Sequence, residues 1–193
     1  MSMKYEIRKN PLFSACGLNC GLCPRFYTVG TSRCPGCAGE GFSDVHPACG
    51  ILSCCQRKGL EYCFLCEEFP CKKYDGVDLT DSFITHQNQF KDMEKAIQMG
   101  IDAYEAELND KVNILQELLT NYDDGRRKGF FCLAVNLLDL ADVSLIMIEL
   151  KSESGKINNE AEQQTLLKKK AKLAVQLFQS LAEKKGIVLK LRK

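Results

Sequence analysis

The sequence predicts a small, loop-rich, metal-stapled N-terminal module followed by an all-α C-terminal helical bundle or hairpin. Three observations predict it. Eleven of the twelve cysteines fall between Cys16 and Cys71. That same stretch is rich in Gly and Pro, with Cys-Gly, Cys-Pro and Pro-Gly steps that mark turns and no sustained helical or strand period. From Ser82 onward the apolar residues instead recur at three- and four-residue steps, the spacing of one helix face. The boundaries that follow are 13–75 for a cysteine-rich metal-binding domain and 80–193 for a helical domain.

A unit so short of apolar runs is expected to lack a conventional core and to depend on metal–thiolate bonds for its order. Beyond Asp75-Gly76 the first helix runs from Ser82 to Met99 and stops at Gly100, and the second from about Asp102 to Tyr122. Ile101, Tyr104, Leu108, Val112, Leu115, Leu119 and Tyr122 line one face of the latter. Asp123-Asp124-Gly125 reads as a turn. Arg126, Arg127 and Lys128 then lead into an apolar helix or helix pair over 130–151. A polar connector spans Ser152 to Asn159. The last long helix, roughly Glu160 to Lys185, places Leu166, Leu173, Leu177 and Leu181 on one side and stops at Gly186. Residues 187–191 read as a short strand or a helical continuation. Four helical segments with short links suit a bundle, and the absence of alternating strands and helices argues against a doubly wound or barrel enzyme.

Clustered cysteines mean either a disulfide framework in a secreted protein or thiolate ligands in a reducing compartment. The first ten residues lack the apolar core of a signal peptide, so a cytoplasmic location and free thiols are expected. The longest apolar run, Phe130 to Leu150, is interrupted by Asn136, Asp139, Asp142 and Glu149, too polar for a bilayer span. Net charge is only +1, with an acidic middle and a basic tail in which residues 168–193 hold nine basic side chains and one acidic. The bland reading of that tail, a solvated face or one packed beside acidic helices, is preferred to nucleic acid or membrane binding.

Spacing within the cluster carries the chemistry. Three Cys-x2-Cys pairs, Cys20/Cys23, Cys34/Cys37 and Cys63/Cys66, each allow a tight turn to aim two sulfurs at one ion. Cys20, Cys23, Cys34 and Cys37 can close one tetrahedral site, and Cys49, Cys54, Cys63 and Cys66 another, with Cys16, Cys71 and Cys55 left over. His46 lies within the cluster and is a further candidate ligand beside Cys55. Zinc, as two or more ions, is the expected cofactor; an iron–sulfur cluster is the alternative, because Cys thiolates hold those too and Cys23-Pro24 echoes a ferredoxin motif. Cys16-x3-Cys20-x2-Cys23 also has the spacing of radical S-adenosylmethionine enzymes, but the surrounding cysteines and helices do not suit their barrels. A thioredoxin-like role for Cys63/Cys66 would need a neighbouring strand–helix unit. Cys132 reads as a core thiol, and His86 as a surface or interface residue. No P-loop, dinucleotide-binding glycine pattern or Gly-x-Ser-x-Gly elbow appears.

The run Ala15-Cys16-Gly-Leu-Asn-Cys20-Gly-Leu-Cys23-Pro24, then Cys34-Pro-Gly-Cys37, then Cys49 through Gly59 and Cys63-x2-Cys66-Glu-Glu-Phe-Pro70-Cys71, resembles the cysteine-rich family DUF3795 over roughly Ser14 to Tyr74. The resemblance implies that Cys16, Cys20, Cys23, Cys34, Cys37, Cys49, Cys54, Cys63, Cys66 and Cys71 belong to the family pattern, while Cys55 falls where the family often has a small residue. It supplies no reaction. His86 to Gly100 and Gly125 to Leu138 are similar to the helical extension of some members.

The functional expectation is a non-catalytic, metal-binding cytosolic protein that acts as a structural or protein-interaction module, with a protein partner and possible homodimerisation through its helices. The alternatives are an iron–sulfur redox protein or oxidoreductase component, and a nucleic-acid-binding zinc protein helped by Arg126, Arg127 and Lys128. Near-neutral charge and the lack of aromatics interleaved with a basic stripe disfavour the last.

Overall fold

The computed structural model describes residues 5–154 and 163–193. Among these, seven α-helices and three short 3-10 turns occur and no strand. The chain divides into two compact units, Met1–Leu108 with Leu191–Lys193, and Asn109–Lys190.

In the first unit the cysteine-rich stretch carries 3-10 turns at Cys20–Leu22, Cys63–Leu65 and Lys72–Tyr74, a one-turn helix α1 (Phe42–Val45) and α2 (Gly50–Arg57). Helix α2 is too short to show a sustained period, although Leu52 and Cys55, three residues apart, share its buried face. It starts because Cys49, in extended conformation, caps it: its sulfur accepts the Leu52 N–H at 3.5 Å, and Ser53 bonds back to the Cys49 carbonyl at 3.0 Å. Helix α3 (Gln89–Met99) follows, and α4 (Ile101–Asn121) begins here and continues into the second unit. Gly100, at φ +90°, separates the two, as its position suggested.

Two expectations are corrected here. The helix predicted from Ser82 starts only at Gln89, because residues 81–87 spend their polar groups locally: the Asp81 carboxylate accepts the His86 N–H at 2.7 Å and the Thr85 hydroxyl accepts the Gln87 N–H at 3.2 Å. The stretch 13–75 also does have an apolar core. Phe13 is fully buried, with its ring centroid 5.1 Å from Tyr62 and 4.7 Å from Tyr104, and Tyr62 stacks on Phe64 at 5.2 Å. Leu22, Leu52, Tyr74 and, from α3, Met93 and Ala96 are buried too. Single aromatics far apart in sequence meet through turns, a pattern that no local period displays.

The second unit holds the remainder of α4 with α5 (Lys128–Leu137), α6 (Leu140–Ser154) and α7 (Gln163–Lys184). Along α4, Val112, Leu115 and Leu118 are buried, as is Tyr122 just past its end, so Leu118 rather than Leu119 takes the centre of the stripe. The 130–151 segment is a helix pair, α5 and α6. On α7 the buried line is Ala171, Ala174, Phe178 and Ala182, while Leu166, Leu173, Leu177 and Leu181 flank it half-buried. Alanines at the contact let α7 lie close against α6, and Phe178 fills the space beside Phe131 at 6.0 Å. Lys185–Asp142 and Lys151–Glu117 ion pairs, at 2.5 and 3.0 Å, tie the unit's surface.

Of the polar connector, Ser152–Ser154 extend α6, and residues 155–159 lie outside the described residues, as does the 160–162 start of the last predicted helix. Residues 187–191 form neither strand nor helix. Gly186, at φ +67°, ends α7, and the Ile187 N–H closes the helix on the Ala182 carbonyl at 2.8 Å. No helix among the described residues is long and apolar enough to cross a membrane.

Candidate metal centre

All twelve cysteines are free thiols. The eleven of the N-terminal stretch gather into two sets. In the first, Cys20 lies within electrostatic reach of Cys37, Cys16, Cys23 and Cys34. Cys16 and Cys37 both neighbour Cys49, and Cys23 neighbours Cys34. The second set is Cys54, Cys55, Cys63, Cys66 and Cys71, which line a small cavity of about 40 Å³ with Lys58 and Lys73. Cys49, which precedes α2, is an electrostatic neighbour of Cys16 and Cys37, while Cys54 and Cys55 lie within that helix.

The turns that present the sulfurs are locally determined. Cys20–Leu22 and Cys63–Leu65 are single 3-10 turns closed by Cys23 N–H to Cys20 O at 3.1 Å and Cys66 N–H to Cys63 O at 3.0 Å. Gly36, inside Cys34-Pro-Gly-Cys37, has φ +91°, and a Cβ there would stand 2.5 Å from the Pro11 carbonyl oxygen, which accepts the Cys37 N–H at 2.8 Å. Only glycine permits that approach.

The Cys16–Cys20 loop is held from outside. Gln89 Nε2 donates to the Cys16 carbonyl at 2.7 Å and the Tyr74 hydroxyl donates to it at 3.2 Å. Asn19 is buried, accepts from the Tyr104 hydroxyl at 2.9 Å and donates to Asp92 at 2.9 Å. These partners come from α3, α4 and the Lys72–Tyr74 turn, and no cysteine motif announces them. Polar side chains on otherwise apolar helix faces, Gln89 and Asp92 above all, are the signal that would have found them.

Around the sulfurs stand hydrogen-bond donors. The Ser14 hydroxyl lies 3.1 Å from Cys16 Sγ, and the Lys58 ammonium donates to Cys66 Sγ at 3.2 Å while pairing with Glu68 at 3.1 Å. Backbone N–H groups of Arg25 and Phe26 serve Cys23, and that of Ala15 serves Cys37. The Arg8 guanidinium is buried against Cys37, bonded to the Phe13 carbonyl at 2.7 Å and Glu61 at 2.9 Å, with its Nε buried and unpartnered. Donors so placed suit thiolates rather than thiols.

The free thiols are meanwhile hard to ionise. Burial pushes Cys16 up to about 12, against the Ser14 bond that lowers it. Burial, then Cys37, Cys16, Cys23 and Cys34, raise Cys20 well above the ordinary thiol value. Burial and then Cys63 push Cys55 up to about 12. Burial raises Cys37 too, although Arg8 opposes it. Among the described residues no three Cys, His, Asp or Glu side chains already stand as a cage for an ion. The donor set, soft sulfurs served by N–H groups, fits zinc or another thiophilic cation.

The comparisons concern this same stretch. A family model described as "Protein of unknown function (DUF3795)" matches residues 12–76. Residues 12–76 are thus similar to the sequences of that family. The DUF3795 match holds every cysteine of both sets and stops just after Tyr74, whereas α3 and Tyr104, which hold the Cys16–Cys20 loop, lie beyond it. No curated protein and no solved structure matches the chain.

The remaining candidates lie elsewhere. His46 is exposed, stacks on Phe42 with centroids 4.4 Å apart, and places Nδ1 2.8 Å from the Pro47 carbonyl. Arg126, Arg127 and Lys128 belong to the second unit at the start of α5, where Asp123 and Asp124 accept the Arg127 and Arg126 N–H groups at 2.8 and 3.3 Å. Cys132 is buried in α5.

Proposed function

We propose that the DUF3795 segment is a thiolate metal module that loads zinc, and that the bound metal fixes this part of the chain as a structural platform for a protein partner. The observation that supports it is the mismatch between the sulfurs and their surroundings. Burial makes Cys16, Cys20, Cys23, Cys37, Cys55 and Cys63 resist ionisation, yet a buried guanidinium, an ammonium and several backbone N–H groups are aimed at the sulfurs of this stretch. A divalent cation reconciles the two, since it makes ionised sulfur the stable form and gives the donors a charged acceptor. Free thiols throughout accord with a reducing, cytoplasmic setting.

The test is metal content and visible spectrum of protein expressed with zinc and iron both available and purified without oxygen. Two or more zinc ions, a colourless spectrum, and loss of protease resistance over residues 13–75 on chelation are expected. A brown protein with iron and acid-labile sulfide assigns the thiols to a cluster instead. A metal-free protein that keeps its protease resistance refutes the structural role.

A further inference from the structure

Outside the cysteine stretch, Arg192 offers both its backbone and its side chain to residues 78–81. Its N–H donates to Asp81 Oδ2 at 2.7 Å, and its carbonyl accepts the Asp81 N–H at 3.1 Å. The guanidinium places Nη2 2.9 Å and Nε 3.3 Å from Asp81 Oδ1, while Nη1 donates to the Asp78 carbonyl. The Asp81 side chain is fully buried under these bonds. Such a contact specifies arginine, because a lysine ammonium is a single point charge that cannot present a fork to a carboxylate and a carbonyl together. The backbone pair specifies further that the arginine is carried in a peptide.

The receiving loop is built by its own bonds. The His86 N–H donates to Asp81 Oδ1 at 2.7 Å and Gln87 Nε2 to Oδ2 at 3.4 Å, so the carboxylate is aimed by its own segment as well as by Arg192. The Ser82 N–H donates to the Ile84 carbonyl at 3.2 Å, the Thr85 hydroxyl accepts the Gln87 N–H at 3.2 Å, and Ile84 and Thr85 are buried. A loop held in this way is organised before its occupant arrives. The occupant is organised less. Residues 187–191 form neither strand nor helix and Val188 is 68 % exposed, so Arg192 is the residue through which the loop grips this segment.

We propose that residues 78–87 are a binding site for an arginine carried in a peptide, and that the chain's own segment Ile187-Val-Leu-Lys-Leu-Arg-Lys193 fills it as an internal ligand, which an arginine-bearing segment of a partner protein displaces. Exchange of one arginine for another never leaves the buried Asp81 charge uncompensated, so the swap avoids the penalty that an empty site would carry. The site lies beyond the matched residues 12–76 and stands whether or not the cysteines bind metal.

The experiment titrates the full chain into a fluorophore-labelled synthetic peptide of residues 187–193 and follows anisotropy. Arg192→Ala in the chain vacates the site, and this variant is expected to bind the peptide one to one. The parent chain, its site filled, is expected to bind at least about ten-fold more weakly. Arg192→Lys in the peptide removes the forked contact and should weaken binding to the vacated chain roughly ten-fold. Where circular dichroism shows that Arg192→Ala does not fold, Arg192→Lys in the chain takes its place, since its ammonium still faces Asp81. A folded variant that ignores the peptide overturns the proposal, as does equal affinity for variant and parent or for the arginine and lysine peptides. Loss of folding in both chain variants makes Arg192 a structural tie and overturns it as well.

Discussion

Tyr104→Phe tests whether α4 holds the cysteine loop through one hydroxyl. The Tyr104 ring packs on Phe13 with centroids 4.7 Å apart, and the substitution leaves that contact in place. What disappears is a donor 2.9 Å from the Asn19 side-chain oxygen, between two residues that are 4 % and 2 % exposed. Water cannot readily replace it. Burial, and then Asp92, hold the Tyr104 phenol well above its usual pKa, so it remains a donor at any accessible pH. Withdrawing one partner of a buried neutral hydrogen bond costs ~1–3 kcal/mol. Taking ~2 kcal/mol as the central value, the unfolding constant rises about 30-fold. Urea unfolding followed by circular dichroism should then show the midpoint falling by roughly 1 M at unchanged slope. In a cycle with Asn19→Ala, the two changes should be less than additive by at least ~0.5 kcal/mol, since they remove the same bond. A second readout is local: Cys20, the residue after Asn19, should react faster with an alkylating reagent in the variant. An unchanged midpoint with strict additivity would refute the idea that this bond positions the loop.

Asp81→Asn should destabilise the first unit by ~2–3 kcal/mol, because the Asp81 side chain is fully buried and accepts Arg192 at 2.9 Å and the backbone N–H groups of Arg192 and His86 at 2.7 Å. Burial raises the Asp81 pKa, but these bonds outweigh it and hold the carboxyl below its ordinary 3.8, so its contribution is complete above about pH 4 and is lost as pH falls through the depressed value. Thermal melts of the parent and variant should therefore converge in acid; a constant difference down to pH 2 would contradict this. Gly17→Ala should cost ~2–3 kcal/mol, since Gly17 has φ +88° and a Cβ would stand 2.4 Å from Cγ of the buried Met93; denaturant titration of this variant beside Gly30→Ala, where no atom lies within 4 Å, separates the clash from the backbone term. Phe178→Ala should cost ~3–5 kcal/mol and act on the second unit, because the ring is fully buried beside Phe131; hydrogen exchange should show the loss of protection concentrated in α5 to α7, and equal loss in residues 13–75 would show that the two units do not unfold separately.

Much of this was legible in the sequence because it is written at short range. The 3-10 turns at Cys20–Leu22 and Cys63–Leu65 close on their own residues, and the helix stops at Gly100 and Gly186 need only a glycine able to take positive φ. The periodic face of α4 is likewise a local property, and even there the exact stripe shifted from Leu119 to Leu118. The composition of the cysteine cluster, and its resemblance to DUF3795, are properties of the string of letters alone.

Tertiary structure decided what spacing leaves open. That Cys49 caps α2 while Cys54 and Cys55 line a small cavity with Cys63, Cys66 and Cys71 is visible only once the eight-residue helix is in place. The aromatic core around Phe13 escaped because its members, Tyr62, Phe64 and Tyr104, have no period in common. The delayed start of α3 depends on Asp81, whose partner Arg192 lies at the far end of the chain. The sequence by itself thus determined which atoms are available, because chemistry and turn geometry are local, whereas three-dimensional packing determined which of them meet, because a buried contact joins residues that the chain holds far apart.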